Sequence, residues 1–424
     1  MKTMPILKRE VHVSDIKTYL KCRRQHWFSS PHLRNLEPIT PYLPFFFGRA
    51  AHEALQAKYE TGVSAVQVFT DWTEKELARI PLFGDLEEKF RKEVSLGVAM
   101  LEHYETWQHL QSKEFKVRYR TELRNCDENL DFLALELSSD KLGVVPITWQ
   151  VRREWVSGRG PVVSVHPDIT FGYRLDGVVR RKSDNTYWIW ETKTARSIDE
   201  LKRSLDFDIQ STMYAWAAQT LLRVPVAGVL YNILRKKAPT VPKILKSTLE
   251  VPVLPEYWPV VFPSEAIESL RELTPDQYPT IPMPLLSADK LEDSTIAVYI
   301  TELHNIALEL SRGRGQECYS MFRDMLHIAH RDVLERLWTI DSNPYFERFE
   351  VRRTQLELQL CAENFATVAQ EMLHSSTPRY PAPSWSTCTY CSFKQPCLSM
   401  NRGASAEGLL QDAYRVRETW TESE

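Results

Sequence analysis

The chain has 424 residues, 43% of them hydrophobic and 26% charged, with a net charge of −3. That length exceeds one ordinary domain and predicts a core with large insertions or two lobes. The composition is that of a soluble globular protein, and the charge argues against a coating-type nucleic-acid binder. An enzyme with one local basic channel remains open, and Arg23-Arg24, Arg180-Arg181-Lys182 and Arg235-Lys236-Lys237 are the clusters that would line it. There is no run of 18 apolar residues and no signal-peptide pattern, so no membrane role and a cytoplasmic location are expected.

In chain order, Ser14 predicts the N-cap of a helix with Ile16, Tyr19, Leu20 and Trp27 at helical spacing, which carries Cys22. Prolines 38 to 44 break the chain, and a second helix is expected from near Gly48, with His52 on it. Residues 63–112 read as helical, and 115–153 as strand-like with an acidic, loop-rich interval. Ser197 to Glu200 has the capping-box pattern, and the following helix over 208–222 puts Gln210 and Tyr214 one turn apart. Val226 to Leu234 reads as a buried strand. Residues 238–345 alternate proline-rich and helical stretches and read as an insertion, a lid or a DNA-gripping lobe. A strand at 346–352, a helix at 355–374 and a polar tail from Asn401 complete the chain. No phosphate-binding G-x-x-x-x-G-K-[ST] loop occurs, so no nucleotide-driven motor is expected.

The stretch 172–196 organises the rest. An extended segment with Asp176 and a second one from Tyr187 to Trp190 flank Ser183-Asp184-Asn185, which has turn chemistry. The second segment ends in Glu191-Thr192-Lys193. A hairpin brings Asp176 beside Glu191 and Lys193, and the two-residue strand period points Glu191 and Lys193 the same way. Two carboxylates beside a lysine form a divalent-metal site with a cationic helper, a pattern suited to phosphodiester hydrolysis. An isolated Glu-x-Lys at a strand end is by itself more often a solvated surface.

Seven cysteines argue against a pure disulfide framework. Cys126, Cys318 and Cys361 are isolated and expected as buried free thiols. Cys388-x2-Cys391-x5-Cys397 supplies three compact metal ligands, and Cys22, 366 positions upstream of Cys388, is the candidate for a fourth. The spacing fits a structural zinc site and a [4Fe–4S] cluster equally.

With these pieces placed, the sequence resembles the PD-(D/E)XK nuclease superfamily, and within it the RecB/AddB-type exonucleases with an iron–sulfur clasp, including the CRISPR adaptation exonucleases. The resemblance is carried by Tyr19-x2-Cys22, Gly48-x3-His52, Gly172-x3-Asp176-Gly177, Glu191-Thr192-Lys193, Gln210-x3-Tyr214 and the terminal cysteine triplet, over 14–60, 165–235 and 345–400. It implies an α/β restriction-endonuclease-like core, a mixed central sheet flanked by helices, with large helical insertions and an iron–sulfur clasp. The implied organisation is N-terminal helices with the first cluster cysteine and His52 (1–60), a helical segment (61–114), the nuclease core (115–237), an insertion (238–345), the C-terminal core with the cysteines (346–400) and a tail (401–424). Asp176 and Glu191 would bind Mn²⁺ or Mg²⁺ with the Thr192 carbonyl and His52. Lys193 would orient and help deprotonate the attacking water. Gln210 and Tyr214 would hold the active-site helix and the DNA. Cys22, Cys388, Cys391 and Cys397 would bind the [4Fe–4S] cluster, with zinc the less favoured occupant. The family's glutamate preceding the aspartate is unassigned between Glu122 and Glu154.

The expected function is therefore a metal-dependent DNA exonuclease acting on single strands or unwound ends in recombination, repair or end processing. The implied partners are DNA and a helicase or recombination protein, in a bacterial cytoplasm or that of a phage host. The rival is a nuclease-like DNA-binding or helicase-partner subunit with little activity, and survival of all three of Asp176, Glu191 and Lys193 weighs against it.

Overall fold

A computed structural model describes residues 9–40, 43–80, 84–110, 130–138, 145–151, 162–287, 296–338, 345–374 and 377–417. Two units emerge. The first comprises Met1–Ser95, Asp127–Ile233 and Arg348–Glu424, and the second Leu96–Cys126 and Leu234–Glu347.

The first unit begins with strand β1 (Arg9–His12), which runs without a break into α1 (Val13–Lys21). The helix therefore starts one residue before Ser14, and the Asp15 carboxylate accepts the His12 N–H at 3.1 Å. Helix α2 (Arg23–Ser29), strand β2 (Leu36–Pro38) and helix α3 (Leu43–Thr61) follow. Helix α3 starts five residues before Gly48, because Pro44 falls in its first turn, where a missing N–H costs nothing. The helical stretch predicted over 63–112 is two helices, α4 (Ala65–Leu77), capped by Ser64, and α5 (Asp85–Leu110).

Strands β3 (Leu130–Ser138), β4 (Val145–Val151), β5 (Val162–Gly172), β6 (Arg174–Arg181) and β7 (Tyr187–Ala195) come next. Helices α6 (Ile198–Leu205) and α7 (Ile209–Leu222) lead to β8 (Val226–Arg235). Strand β9 (Phe346–Arg352) and helix α8 (Gln355–Leu373) return after residue 345. The main sheet has the order β9-β8-β7-β6-β3, and a smaller mixed sheet has the order β1-β5-β4, with β1 parallel and β4 antiparallel to β5. Helices pack against this mixed α/β framework, and one core cluster joins α1, α7 and α8 to strand residues such as Phe171, Val178 and Ile189.

The opposite face of β7 is aromatic. Trp188 and Trp190 are buried there, with the Arg181 guanidinium 4.6 Å from the Trp188 ring and that of Arg348 4.5 Å from Trp190. Tyr59 of α3 packs edge-on against Trp190 at 5.5 Å. Gly228 sits where β8 approaches β9: at φ +154°, a Cβ would lie 2.1 Å from the Val351 carbonyl oxygen. No other residue type fits there.

The second unit has its own apolar core. It combines the hairpin of Ile244–Pro252 with Thr280–Leu286 and the helices Ile296–Leu310, Gln316–Ala329 and Arg331–Trp338. Residues 96–110 group with this unit. His330 is buried in it, accepting the Leu286 N–H at 2.9 Å. No helix among the described residues is long and apolar enough to cross a membrane.

Candidate active site

The β6–β7 hairpin builds the site. Asp184 Oδ1 accepts the Thr186 N–H and hydroxyl at 3.2 and 2.7 Å, and Asn185 takes the left-handed conformation at φ 55°. This turn sets the antiparallel register Gly177↔Trp190, so Asp176 and Glu191 fall at neighbouring positions. The Thr192 N–H donates to Asp176 Oδ2 at 2.6 Å, and Lys193 Nζ donates to Glu191 Oε1 at 2.5 Å. His52, from α3, places Nδ1 3.3 Å from Asp176 Oδ1. The structure thus brings together Asp176, Glu191, Thr192, Lys193 and His52.

Burial dominates the electrostatics. It pushes the Glu191 carboxyl up to about 7, against the pull of Lys193. Burial would raise Asp176 as well, yet His52, the Thr192 N–H and Lys193 hold it below the usual carboxylate range. Burial alone would lower His52, but Asp176 raises it above its ordinary value. Lys193 is likewise raised against the effect of burial, by Glu191 and Asp208.

Asp208 is a carboxylate that sequence reading placed inside the helix rather than in the site. It caps α7, accepting the Gln210 N–H at 3.1 Å, and lies 3.8 Å from Lys193 Nζ and 3.2 Å from Lys17 Nζ. Its signal was an N-cap residue type immediately before the helix. Arg353 was missed too. Its guanidinium donates to the Leu205 and Asp206 carbonyls at 2.8 and 3.0 Å and pins the turn that holds Asp208. Gln210 donates to the Tyr214 hydroxyl at 3.1 Å, and the buried Tyr214 ring lies within the field of Glu191 and Asp176. Glu122, Glu154 and Cys126 lie outside the described residues.

The cysteines form a second constellation in the same unit. Cys391 feels Cys22, Cys388 and Cys397 electrostatically, and burial pushes its thiol up. Cys22 Sγ accepts the Ala382 N–H at 3.5 Å, and Arg24 donates to Cys397 Sγ at 3.5 Å. Phe28 and Tyr414 stack on either side of Phe393, and β2 pairs with a short strand at Tyr414–Val416. Cys318 and Cys361 are half-buried rather than fully buried.

Among the described residues no three His, Cys, Asp or Glu side chains are already spaced to enclose an ion. The donor set nevertheless fits a divalent cation, because Glu191 is 2% exposed and its Oε2 has no hydrogen-bond partner. A buried carboxylate oxygen left in that state is costly unless a ligand meets it. The four thiols are close enough to feel one another, but no three of them are spaced to enclose a metal.

A buried Glu191 and a half-buried Asp176 stand beside Lys193 at one end of a β-hairpin backed by helices. The family model of the PD-(D/E)XK nuclease superfamily matches residues 10–398, and the chain belongs to that superfamily. No curated protein sequence matches the chain. The superfamily consists of nucleases acting on nucleic acid, which typically use Mg²⁺ or Mn²⁺.

Proposed function

We propose that the chain is a metal-dependent deoxyribonuclease that degrades single-stranded or unwound DNA from an end, in recombination, repair or end processing. The carrying observation is the unpartnered, buried Glu191 Oε2 beside Asp176 and Lys193. Asp176, Glu191, His52 and the Thr192 carbonyl are the groups that would hold Mg²⁺ or Mn²⁺. When bound, such a cation supplies Lewis acidity, making water more acidic and offsetting phosphate charge. Lys193 places its ammonium beside Glu191, where it orients the attacking water and faces the charge that builds on the scissile phosphate. Asp208 keeps Lys193 in place, and Gln210 with Tyr214 holds the helix flanking the strand. Phe207, 82% exposed on the pinned turn before Asp208, offers a ring to an unpaired base.

Cys22, Cys388, Cys391 and Cys397 are assigned in the same reading to a [4Fe–4S] cluster, with zinc as the alternative occupant. A helicase or recombination protein that supplies unwound ends is the partner class it implies, in a cytoplasmic setting. The test is degradation of end-labelled single- and double-stranded DNA with Mg²⁺ or Mn²⁺, alongside Asp176→Ala. End-dependent shortening that Asp176→Ala abolishes supports the proposal. DNA binding without cutting in either metal would leave a nuclease-like binding subunit instead.

A further inference from the structure

Away from the hairpin, α1, α2, the end of α8 and residues 377–379 line a cavity of about 190 Å³. Arg9, Arg23 and Arg379 line it together with His26 and His32, and no carboxylate is among the lining residues. In a chain of net charge −3 this is a local concentration of positive charge. Two of its cations, Arg23 and Arg379, lie over aromatic rings, and Arg9 donates to the Leu373 carbonyl at 3.4 Å. The Arg23 guanidinium lies 5.0 Å from the Tyr19 ring and 5.2 Å from Tyr380, and that of Arg379 lies 5.6 Å from Trp27. Part of this charge is already engaged, since the half-exposed Glu371 accepts from both Tyr19 and Arg23.

The second observation is His26. Its side chain lines the cavity, is 4% exposed, and leaves Nε2 without a hydrogen-bond partner. Its ring is fixed edge-on to Tyr19 at 5.5 Å. His32, by contrast, is engaged with the Glu10 carbonyl at 2.8 Å. Burial lowers the His26 pKa, against the pull of Asp15 and with help from His32. An orphaned imidazole nitrogen in a cavity lined by three arginines, one of them paired with Glu371, is met by a ligand that both carries negative charge and can hydrogen-bond in either sense, as a protonated phosphate oxygen does. The volume is below the roughly 300–1,000 Å³ of pockets for drug-sized ligands. It suits a phosphate rather than a whole nucleotide.

We propose that this cavity binds one phosphate group, with Arg9 and Arg379 supplying charge and His26 Nε2 a hydrogen bond. The phosphate comes either from a nucleic-acid strand or from free phosphate. The strand source rests on the nuclease reading above, and α1 supports it by presenting Lys17 to Asp208 and Tyr19 to the cavity.

The test is calorimetric titration of the full-length protein with inorganic phosphate at constant ionic strength, for the wild type, Arg379→Gln and His26→Phe. One saturable site is expected, weakened about tenfold or more in each variant, as for loss of one charge-assisted hydrogen bond. His26→Phe keeps an aromatic ring against Tyr19 and removes both ring nitrogens, the orphaned Nε2 among them, so its melting temperature is measured alongside binding. If it fails to fold, the exposed Arg379→Gln carries the comparison alone. Absence of saturable binding, or equal binding in wild type and variants, overturns the proposal. A second arm measures a labelled single-stranded oligonucleotide on a Lys193→Ala background. Displacement by phosphate, lost in Arg379→Gln, assigns the site to the strand; no displacement assigns it to free phosphate. A wild type that binds phosphate but cuts no DNA would remove the nuclease reading while leaving the phosphate site standing.

Discussion

The hairpin corner and the cysteine corner of the first unit are both assembled from distant parts of the sequence, yet they are held by different forces. At the hairpin, Asp176, Glu191, Lys193, Asp208 and His52 hold one another by opposed charges in a largely buried space. At the cysteines, the fold is secured by stacked rings, by the pairing of Leu36 with Val416 and by exposed ion pairs such as Arg34–Glu407 and Arg415–Glu37, which lie outside the thiol cluster itself. The first corner is therefore arranged by its own electrostatics, which is the preorganisation that transition-state stabilisation requires. The second is arranged by packing, strand pairing and surface ion pairs, and a bound metal there would act on stability. The difference predicts that damage to the first is read in rate and damage to the second in folding.

The largest expected effect is on rate. Asp176→Ala and Lys193→Ala should each lower DNA cleavage by at least about 10²–10⁴-fold, the range for loss of a positioned acid–base or electrostatic group. Asp176→Ala removes one of the clustered carboxylates and should melt close to wild type, whereas Lys193→Ala leaves Glu191 and Asp208 without their cation and should melt lower. Full activity in either purified variant sinks the assignment of the hairpin as the catalytic corner.

Cys22→Ala should do the reverse. A cluster linking Cys22 to Cys388 closes a loop of about 366 residues, which the chain-entropy treatment of a single crosslink values at about 6 kcal/mol. Anaerobically purified wild type should be brown and contain about four irons per chain. The variant should lose iron and thermal stability together, while its remaining folded fraction cuts DNA at a near-normal rate. A colourless wild type with one zinc would keep the clasp and discard the cluster. Retention of iron and melting temperature by the variant would remove Cys22 from the clasp.

Asp208→Asn sharpens the charge argument, since asparagine caps a helix as well as aspartate does. The variant keeps the Gln210 N–H satisfied and removes only the negative charge beside Lys193. A drop in kcat of about tenfold is expected, with α7 intact by circular dichroism. The sign of the accompanying pH effect is fixed. Burial tends to raise the Asp208 pKa, but Lys193, Lys17 and Ser211 hold it below its ordinary value. Its stabilising contribution is thus present above the unfolded pKa of about 3.9 and lost as pH falls through the lower folded value. Melting curves of the variant should therefore fall less steeply than those of wild type below about pH 4. Parallel curves would mean that Asp208 carries no charge coupling.

How much of this was legible follows from the range of each interaction. Asp176, Glu191 and Lys193 could be read because the turn at 183–185 and a two-residue period fix them locally. Gln210 and Tyr214 were legible for the same reason, one helical turn apart. Arg353 was not, because its partners, the Leu205 and Asp206 carbonyls, lie about 150 residues away and nothing in its own neighbourhood signals them. Gly228 also gave no local sign, since its requirement comes from the Val351 backbone crossing over it. The hairpin of the second unit was obscured by prolines at 252, 282 and 284, which read as breakers yet are accommodated in a two-stranded ribbon.

The smallest expected effect concerns His52 and separates a ligand from a charge partner. Its Nδ1 faces Asp176 Oδ1 at 3.3 Å, a contact that both roles share. As a ligand, an imidazole shifts preference from Mg²⁺ towards Mn²⁺, because nitrogen donors suit the transition metal and magnesium favours oxygen. Wild-type cleavage should then be a few-fold faster with Mn²⁺, and His52→Ala should narrow that ratio while lowering both rates. As a charge partner only, His52 would steady Asp176 equally for either cation, and its loss would lower both rates with the ratio unchanged. The quantity to measure is therefore the Mn²⁺/Mg²⁺ rate ratio at saturating metal, not either rate alone. An unchanged ratio in His52→Ala leaves His52 as a partner that keeps Asp176 ionised, and the cation to Asp176, Glu191 and the Thr192 carbonyl.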